Sequence, residues 1–150
     1  DDAEKQNLLD ALFHRIFSDN QQIRQESAKA WALWSGRVVT HGFVKNYLLD
    51  TKDLNKLVID ARIEIHYAMN KYFIHENQII DNISQLPDVP TTIIHGRKDL
   101  TCLPESSWLI HRARPGSRLV IVPDAGHLAG ESAMVDALVA ATDEMIGGME

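Results

Sequence analysis

Apolar residues recur at helical spacing through the first half of the chain. Leu8, Leu9, Leu12, Phe13, Ile16 and Phe17 form one stripe and predict a helix over residues 3–17. Ser18, Asp19 and Asn20 interrupt it with short, oxygen-bearing side chains suited to capping the next helix. That helix is predicted over 21–34, with Ala28, Trp31, Ala32 and Trp34 crowding one end and Gly36 as its stop. A less regular stretch over 37–53 follows. Leu54, Leu57, Val58, Ala61, Ile65 and Ala68 then predict an amphipathic helix over 54–69, and a shorter one is expected around 76–83.

The pattern changes after Leu86-Pro87-Asp88-Val89-Pro90, whose prolines block helix continuation. Thr91-Thr92-Ile93-Ile94 is β-branched and apolar on both faces, as in a buried parallel strand. Pro104 opens a helix reaching about Ala113, with Trp108, Leu109 and Ile110 as its expected inner face. Pro115-Gly116 turns the chain into a second strand over 118–122, and a last helix is predicted over 131–145. The result is a β-α-β-α unit with parallel strands. The chain is therefore read as a helical segment, 1–86, followed by an α/β segment, 87–150.

Composition sets limits on this picture. Of 150 residues, 45% are hydrophobic and 24% charged, which fits a globular chain and not a disordered one. With 15 Lys+Arg against 21 Asp+Glu the net charge is −6, which argues against a nucleic-acid partner. No apolar run approaches the ~18 residues of a membrane span. The acidic start, Asp1-Asp2-Ala3-Glu4-Lys5, does not resemble a signal peptide. The single cysteine, Cys102, excludes an intramolecular disulfide and fits a reducing, cytoplasmic compartment.

Candidate chemistry gathers just past the carboxyl ends of the two strands, where open parallel sheets collect reactive groups. Asp99 follows the first strand in His95-Gly96-Arg97-Lys98-Asp99, and His127 follows the second in Pro123-Asp124-Ala125-Gly126-His127. Each is introduced by a glycine expected to permit a sharp turn. One crossover helix separates them, so adjacent parallel strands bring both loops to one edge. An aspartate there can fix the tautomer of an imidazole, leaving its other nitrogen free to take a proton from a nucleophile. Taken singly, Asp99 is a turn former and His127 a surface histidine; the pairing is what favours catalysis.

These same residues resemble the C-terminal part of the proline iminopeptidases, α/β-hydrolases that remove N-terminal proline from peptides. The matching blocks are Ile-Ile-His-Gly-Arg-Lys-Asp (93–99), Cys102 and Ala-Gly-His (125–127). Upstream they include Ala-Lys-Ala-Trp-Ala-Leu-Trp-Ser-Gly (28–36) and Ala-Arg-Ile-Glu-Ile-His-Tyr (61–67), and downstream Val-Asp-Ala-Leu-Val-Ala-Ala-Thr-Asp (135–143). The resemblance implies that Asp99 is the triad acid and His127 the general base. It further implies that the helical half is a cap and that Glu64 pairs with the protonated amine of a substrate. A partly desolvated carboxylate distinguishes a free amine from a blocked peptide through a charge-assisted hydrogen bond. The implied partner is a peptide with a free N-terminus, and no cofactor is implied.

Three positions depart from the family pattern. Ser35 stands where a second amine-recognising glutamate usually sits, Ala68 where an aromatic lines the proline pocket, and Leu128 where serine often follows the histidine. These changes imply weaker or broader specificity than strict proline selection.

No Gly-x-Ser-x-Gly occurs, and Ser106, Ser107 and Ser132 read as helix or cap serines. The resemblance implies that the nucleophile, the glycine-rich oxyanion segment and the first strands lie N-terminal to Asp1. The chain alone is then expected to be inactive. A strand edge left unpaired invites a second copy. Cys102 is expected as a semi-buried thiol near the site. His66, His75, His95 and His111 have no tight metal-ligand spacing, so no metal is expected. Trp31 and Trp34 are expected in the core of the cap. The alternatives are a non-catalytic interaction or assembly module, and an α/β-hydrolase of another substrate class such as an esterase.

Overall fold

A computed structural model describes residues 2–41 and 43–148, with side chains from Glu4 onward. It forms two compact units, Asp1–Gly36 with Tyr47–Glu76, and Arg37–Asn46 with Asn77–Glu150.

The first unit is helical. The stripe expected as one helix is broken into α1 (Asp2–Gln6) and α2 (Leu8–Ile16). The break lies at Asn7, whose side chain turns back to accept from the Asp10 amide at 3.3 Å and so caps α2. α3 (Gln21–Val39) starts where expected: Asn20 Oδ1 accepts from the amides of Gln22 at 2.9 Å and Ile23 at 3.3 Å. It runs through Gly36 instead of stopping there. A Cβ at position 36 would overlap the Tyr47 ring, so the glycine serves close packing, not termination. α4 (Leu54–Met69) is capped by Asp53, which accepts from the Lys56 amide at 2.9 Å.

Ile16, Ala28, Val58, Ala61 and Ile65 form the buried core of this unit, with Leu9, Leu12, Phe13, Trp31 and Leu57 around it. Ile16 and Ile65 are fully buried, and truncating either to alanine is expected to cost about 2–5 kcal/mol. Trp31 joins this core as expected, whereas Trp34 is 57% exposed and rests on the Trp31 ring at 5.1 Å. Past α4, Lys71, Tyr72 and Phe73 take φ of +51°, +55° and +57°. Such left-handed backbone costs roughly 1–2 kcal/mol per residue. Packing of the Phe73 ring against His66 and Tyr67 opposes that cost.

The second unit carries α5 (Gln78–Asp81), shorter than the predicted helix because the chain tightens into a 3₁₀ turn at Ile83–Gln85. Then come β1 (Thr92–Gly96), α6 (Pro104–Ala113), β2 (Arg118–Val122) and α7 (Ser132–Gly147). β1 and β2 pair in parallel from Thr92↔Arg118 to Gly96↔Val122. Val122, Ala125 and Met134 form its buried core, with Ile94, Val120, Ala133 and Ala137 packed against them. The strands are half-buried apart from an exposed Arg118 and buried Gly96 and Val122, whereas the sequence pattern predicts a β1 buried on both faces. The sheet has two strands among the described residues.

The inner face of α6 also differs from expectation. Trp108 and Leu109 are exposed, with the Arg112 guanidinium 5.0 Å over the Trp108 ring, and the buried residue is Ser107. A polar side chain turns inward because β1 offers it a partner, His95. Arg114 ties the segment before β1 to the end of α6, donating to the carbonyls of Pro87 at 2.5 Å and Val89 at 3.0 Å. Among the described residues no helix is long and apolar enough to cross a membrane.

Candidate active site

The two loops leaving the parallel strands are bonded to each other before they reach the polar residues. Arg97 N–H donates to the Val122 carbonyl and Lys98 N–H to the Ala125 carbonyl, both at 2.9 Å. Gly96 makes this approach feasible. A Cβ there would collide with the backbone carbonyls of Ala125 and Gly126. The expectation of glycine-enabled sharp turns is thus corrected. Neither Gly96 nor Gly126 has a positive φ, and what matters is the missing side chain.

This stitching brings Asp99 and His127 into contact. Nδ1 of His127 lies 3.0 Å from Oδ2 of Asp99, with the carboxylate buried and the imidazole one-third exposed. A carboxylate only accepts, so Nδ1 donates this bond, and in the neutral ring the lone pair is then on Nε2. The other oxygen, Oδ1, accepts from the amides of Thr101 at 2.8 Å and Cys102 at 2.9 Å. Burial pushes the Asp99 carboxyl up. The Cys102 amide, the His127 ring and the Thr101 amide outweigh it and hold the group below its ordinary value. Asp99 is therefore a carboxylate near neutral pH.

Three supporting residues escape a reading of the sequence. Glu131, 3% exposed, accepts from the amides on either side of His127: Gly126 at 2.9 Å and Leu128 at 3.3 Å. It precedes the first residue of α7, where glutamate is not a usual cap, and that oddity is its only sequence signal. His95, on β1, donates from Nε2 to the Cys102 carbonyl at 2.8 Å and so accepts at Nδ1 from the Ser107 hydroxyl at 2.6 Å. The Asp99 loop is thereby held from β1 and α6 together. Ser107, expected as an ordinary helix serine, is one end of that brace.

The expected semi-buried thiol is instead exposed: Cys102 lies at the surface beside the pair. In the helical unit, Glu64 on α4 is likewise exposed, not desolvated, and its Oε2 accepts from the Trp31 indole of α3 at 2.5 Å. Ser35 lies one turn beyond Trp31 on α3, and Ala68 one turn beyond Glu64 on α4; both are half-buried. The structure thus joins Asp99 to His127 in one unit and anchors Glu64 to Trp31 in the other.

A β-α-β-α unit with an aspartate and a histidine bonded across adjacent strand ends is a feature of α/β hydrolases. The chain belongs to that family: the alpha/beta hydrolase fold pattern matches residues 5–133. Among curated proteins it is similar to the proline iminopeptidase of Xanthomonas citri, 37% identical over 94% of this chain and 45% of that protein. It is also similar to that of Xylella fastidiosa, 34% identical over 96% of this chain and 46% of the relative. For the Arabidopsis thaliana proline iminopeptidase the figures are 34%, 93% and 37%. The chain spans somewhat under half the length of the curated relatives it matches.

Proposed function

We propose that this chain supplies the acid and the base of a serine-type aminopeptidase that releases N-terminal proline, or a related residue, from peptides. The observation that carries the reading is the 3.0 Å bond from His127 Nδ1 to a buried, ionised Asp99 at paired strand ends. In this reading Nε2 of His127 takes the proton of a nucleophilic hydroxyl as it attacks the scissile carbonyl. Asp99 stabilises the imidazolium that forms, and His127 then returns the proton to the leaving amine. Glu64, oriented by the Trp31 indole, receives the substrate's protonated amino end through a charge-assisted hydrogen bond. The nucleophile is supplied by residues outside these 150, since none of the serines present sits in a Gly-x-Ser-x-Gly elbow.

The test joins this chain to the part of the Xanthomonas citri relative that it does not cover. The folded chimera is expected to release arylamine from proline arylamide and to lose that turnover with His127→Ala. The 150-residue chain alone is expected to give none. A folded chimera that turns over a p-nitrophenyl ester but no arylamide would overturn the peptidase reading in favour of an esterase. Arylamide turnover indifferent to His127→Ala would overturn the assignment of the base.

A further inference from the structure

Cys102 has no part in the proton transfers above, yet it is placed where a thiol has a chemical use. Its Sγ, one Asp99 carboxylate oxygen and one nitrogen of the His127 ring all lie within 4.8 Å of one another. Linear spacing conceals the cluster, because His127 reaches it only through the pairing of β1 with β2.

We infer that Cys102, Asp99 and His127 form a binding site for a thiophilic divalent cation, with Zn²⁺ the metal that fits best. One sulfur, one imidazole nitrogen and one carboxylate oxygen are the donor types Zn²⁺ takes, with bonds of about 2.3 Å to sulfur and 2.0–2.2 Å to nitrogen and oxygen. Those bond lengths at tetrahedral angles put donor atoms about 3.3–3.6 Å apart. No separation exceeds 4.8 Å, so the longest needs to close by no more than roughly 1 Å. An exposed cysteine side chain can supply most of that movement by changing rotamer. Three protein donors leave a fourth position for water, as in open zinc sites.

Charge balance favours the same ion. A thiolate and a carboxylate neutralise a divalent cation while the imidazole stays neutral. Coordination sends the thiol proton to solvent, and the imidazole's one remaining proton sits on the nitrogen not bound to metal. Mg²⁺ and Ca²⁺ prefer sets of oxygen donors and fit poorly. The buried carboxylate is already oriented by the amides of Thr101 and Cys102, so one donor is fixed before metal arrives. Metal binding takes the ring and the carboxylate away from each other's service. The inhibition that follows rests on the peptidase reading, whereas the binding itself does not.

The experiment uses the 150-residue protein and the metal alone. Titration with Co²⁺ is expected to produce near-ultraviolet sulfur-to-cobalt charge-transfer absorption, displaced on adding one equivalent of Zn²⁺. Loss of a mere outer-shell partner typically costs about 10–100-fold in metal affinity. Loss of the thiolate is therefore expected to cost at least about tenfold, so Cys102→Ser should abolish the absorption and weaken Zn²⁺ binding by that much. His111→Ala, remote from the cluster in its bond to Ser117, should change neither. Circular dichroism establishes that each variant is folded. Cys102→Ser, at an exposed position, decides the matter. A cobalt complex without the sulfur band, or Zn²⁺ affinity unaltered by Cys102→Ser, overturns the inference. Neither result depends on the peptidase reading.

Discussion

Glu131 grips the backbone on both sides of His127, accepting from Gly126 N–H at 2.9 Å and Leu128 N–H at 3.3 Å. The imidazole is thus positioned twice, by Asp99 through its ring and by Glu131 through its flanking peptides. The second hold acts on the loop and leaves the ring's proton inventory alone.

Replacing Glu131 should therefore loosen the loop more than it alters acid–base chemistry. Glu131→Ala leaves two amides without their acceptor and is expected to lower stability by about 1–3 kcal/mol. Glu131→Gln, which keeps one acceptor oxygen, should fall between the wild type and alanine. Denaturant unfolding measures the stabilities. Hydrogen exchange should accelerate at both Gly126 and Leu128 in Glu131→Ala and at one of them in Glu131→Gln, and unaltered exchange there would refute the assigned hold.

Acid should release the other hold. The Asp99 carboxyl lies below its ordinary value, so ionised Asp99 stabilises the fold fully above the usual aspartate range near ~3.9. That contribution fades as pH falls through the lower folded value. Asp99→Asn is expected to be less stable than wild type near neutral pH, and the gap should narrow as pH drops below about 4. Unfolding free energies across the acid range test this; a gap that stays constant would contradict it.

A single methyl group at residue 96 should part the two loops. Gly96→Ala forces a Cβ onto the carbonyls of Ala125 and Gly126, which belong to backbone already committed to hydrogen bonds. Overpacking of this kind costs typically about 1–3 kcal/mol. Gly130→Ala is the control, since nothing lies within 4 Å of its added Cβ. Thermal melts should separate the two variants clearly, and equal melting would show that the loop contact is not tight.

Substrate preference in the chimera should follow Ser35 and Ala68. With serine in place of a second carboxylate, and alanine in place of an aromatic, proline, alanine and bulkier N-terminal arylamides are expected to be cleaved at comparable kcat/KM. Ser35→Glu should lower KM for proline arylamide while leaving kcat nearly unchanged, because it adds amine binding and no chemistry. Efficient cleavage of proline substrates alone by the unmodified chimera would sink the broad-specificity reading.

Much of the architecture is legible in the sequence because it rests on local chemistry. The cap at Asn20, the proline punctuation around 87–90 and the β-branched run at 92–94 act over a few residues, and the elements form where they point. The contact of Asp99 with His127 is legible for a related reason, since position past a strand end can be counted along the chain. Gly36 reads as a helix stop because a glycine's smallness looks the same whether it ends a helix or admits a tyrosine ring. The inner face of α6 differs from the hydrophobic pattern because hydrophobicity alone cannot foresee a buried Ser107 bonded to His95. Glu131, His95 and the neighbourhood of Cys102 have meaning only once β1 and β2 are paired.

The attachment of the His127 loop to the residue ahead of α7 links the placement of the imidazole to cooperative unfolding. Opening of the first turn of that helix must carry Glu131 away, and with it the acceptor for the peptides beside the imidazole. Loop and helix then belong to one exchange unit, so their amides should share a common opening free energy. The peptides beside the imidazole keep their acceptor only while the last helix is docked, which makes the undocking of α7 a way of loosening the histidine without touching it.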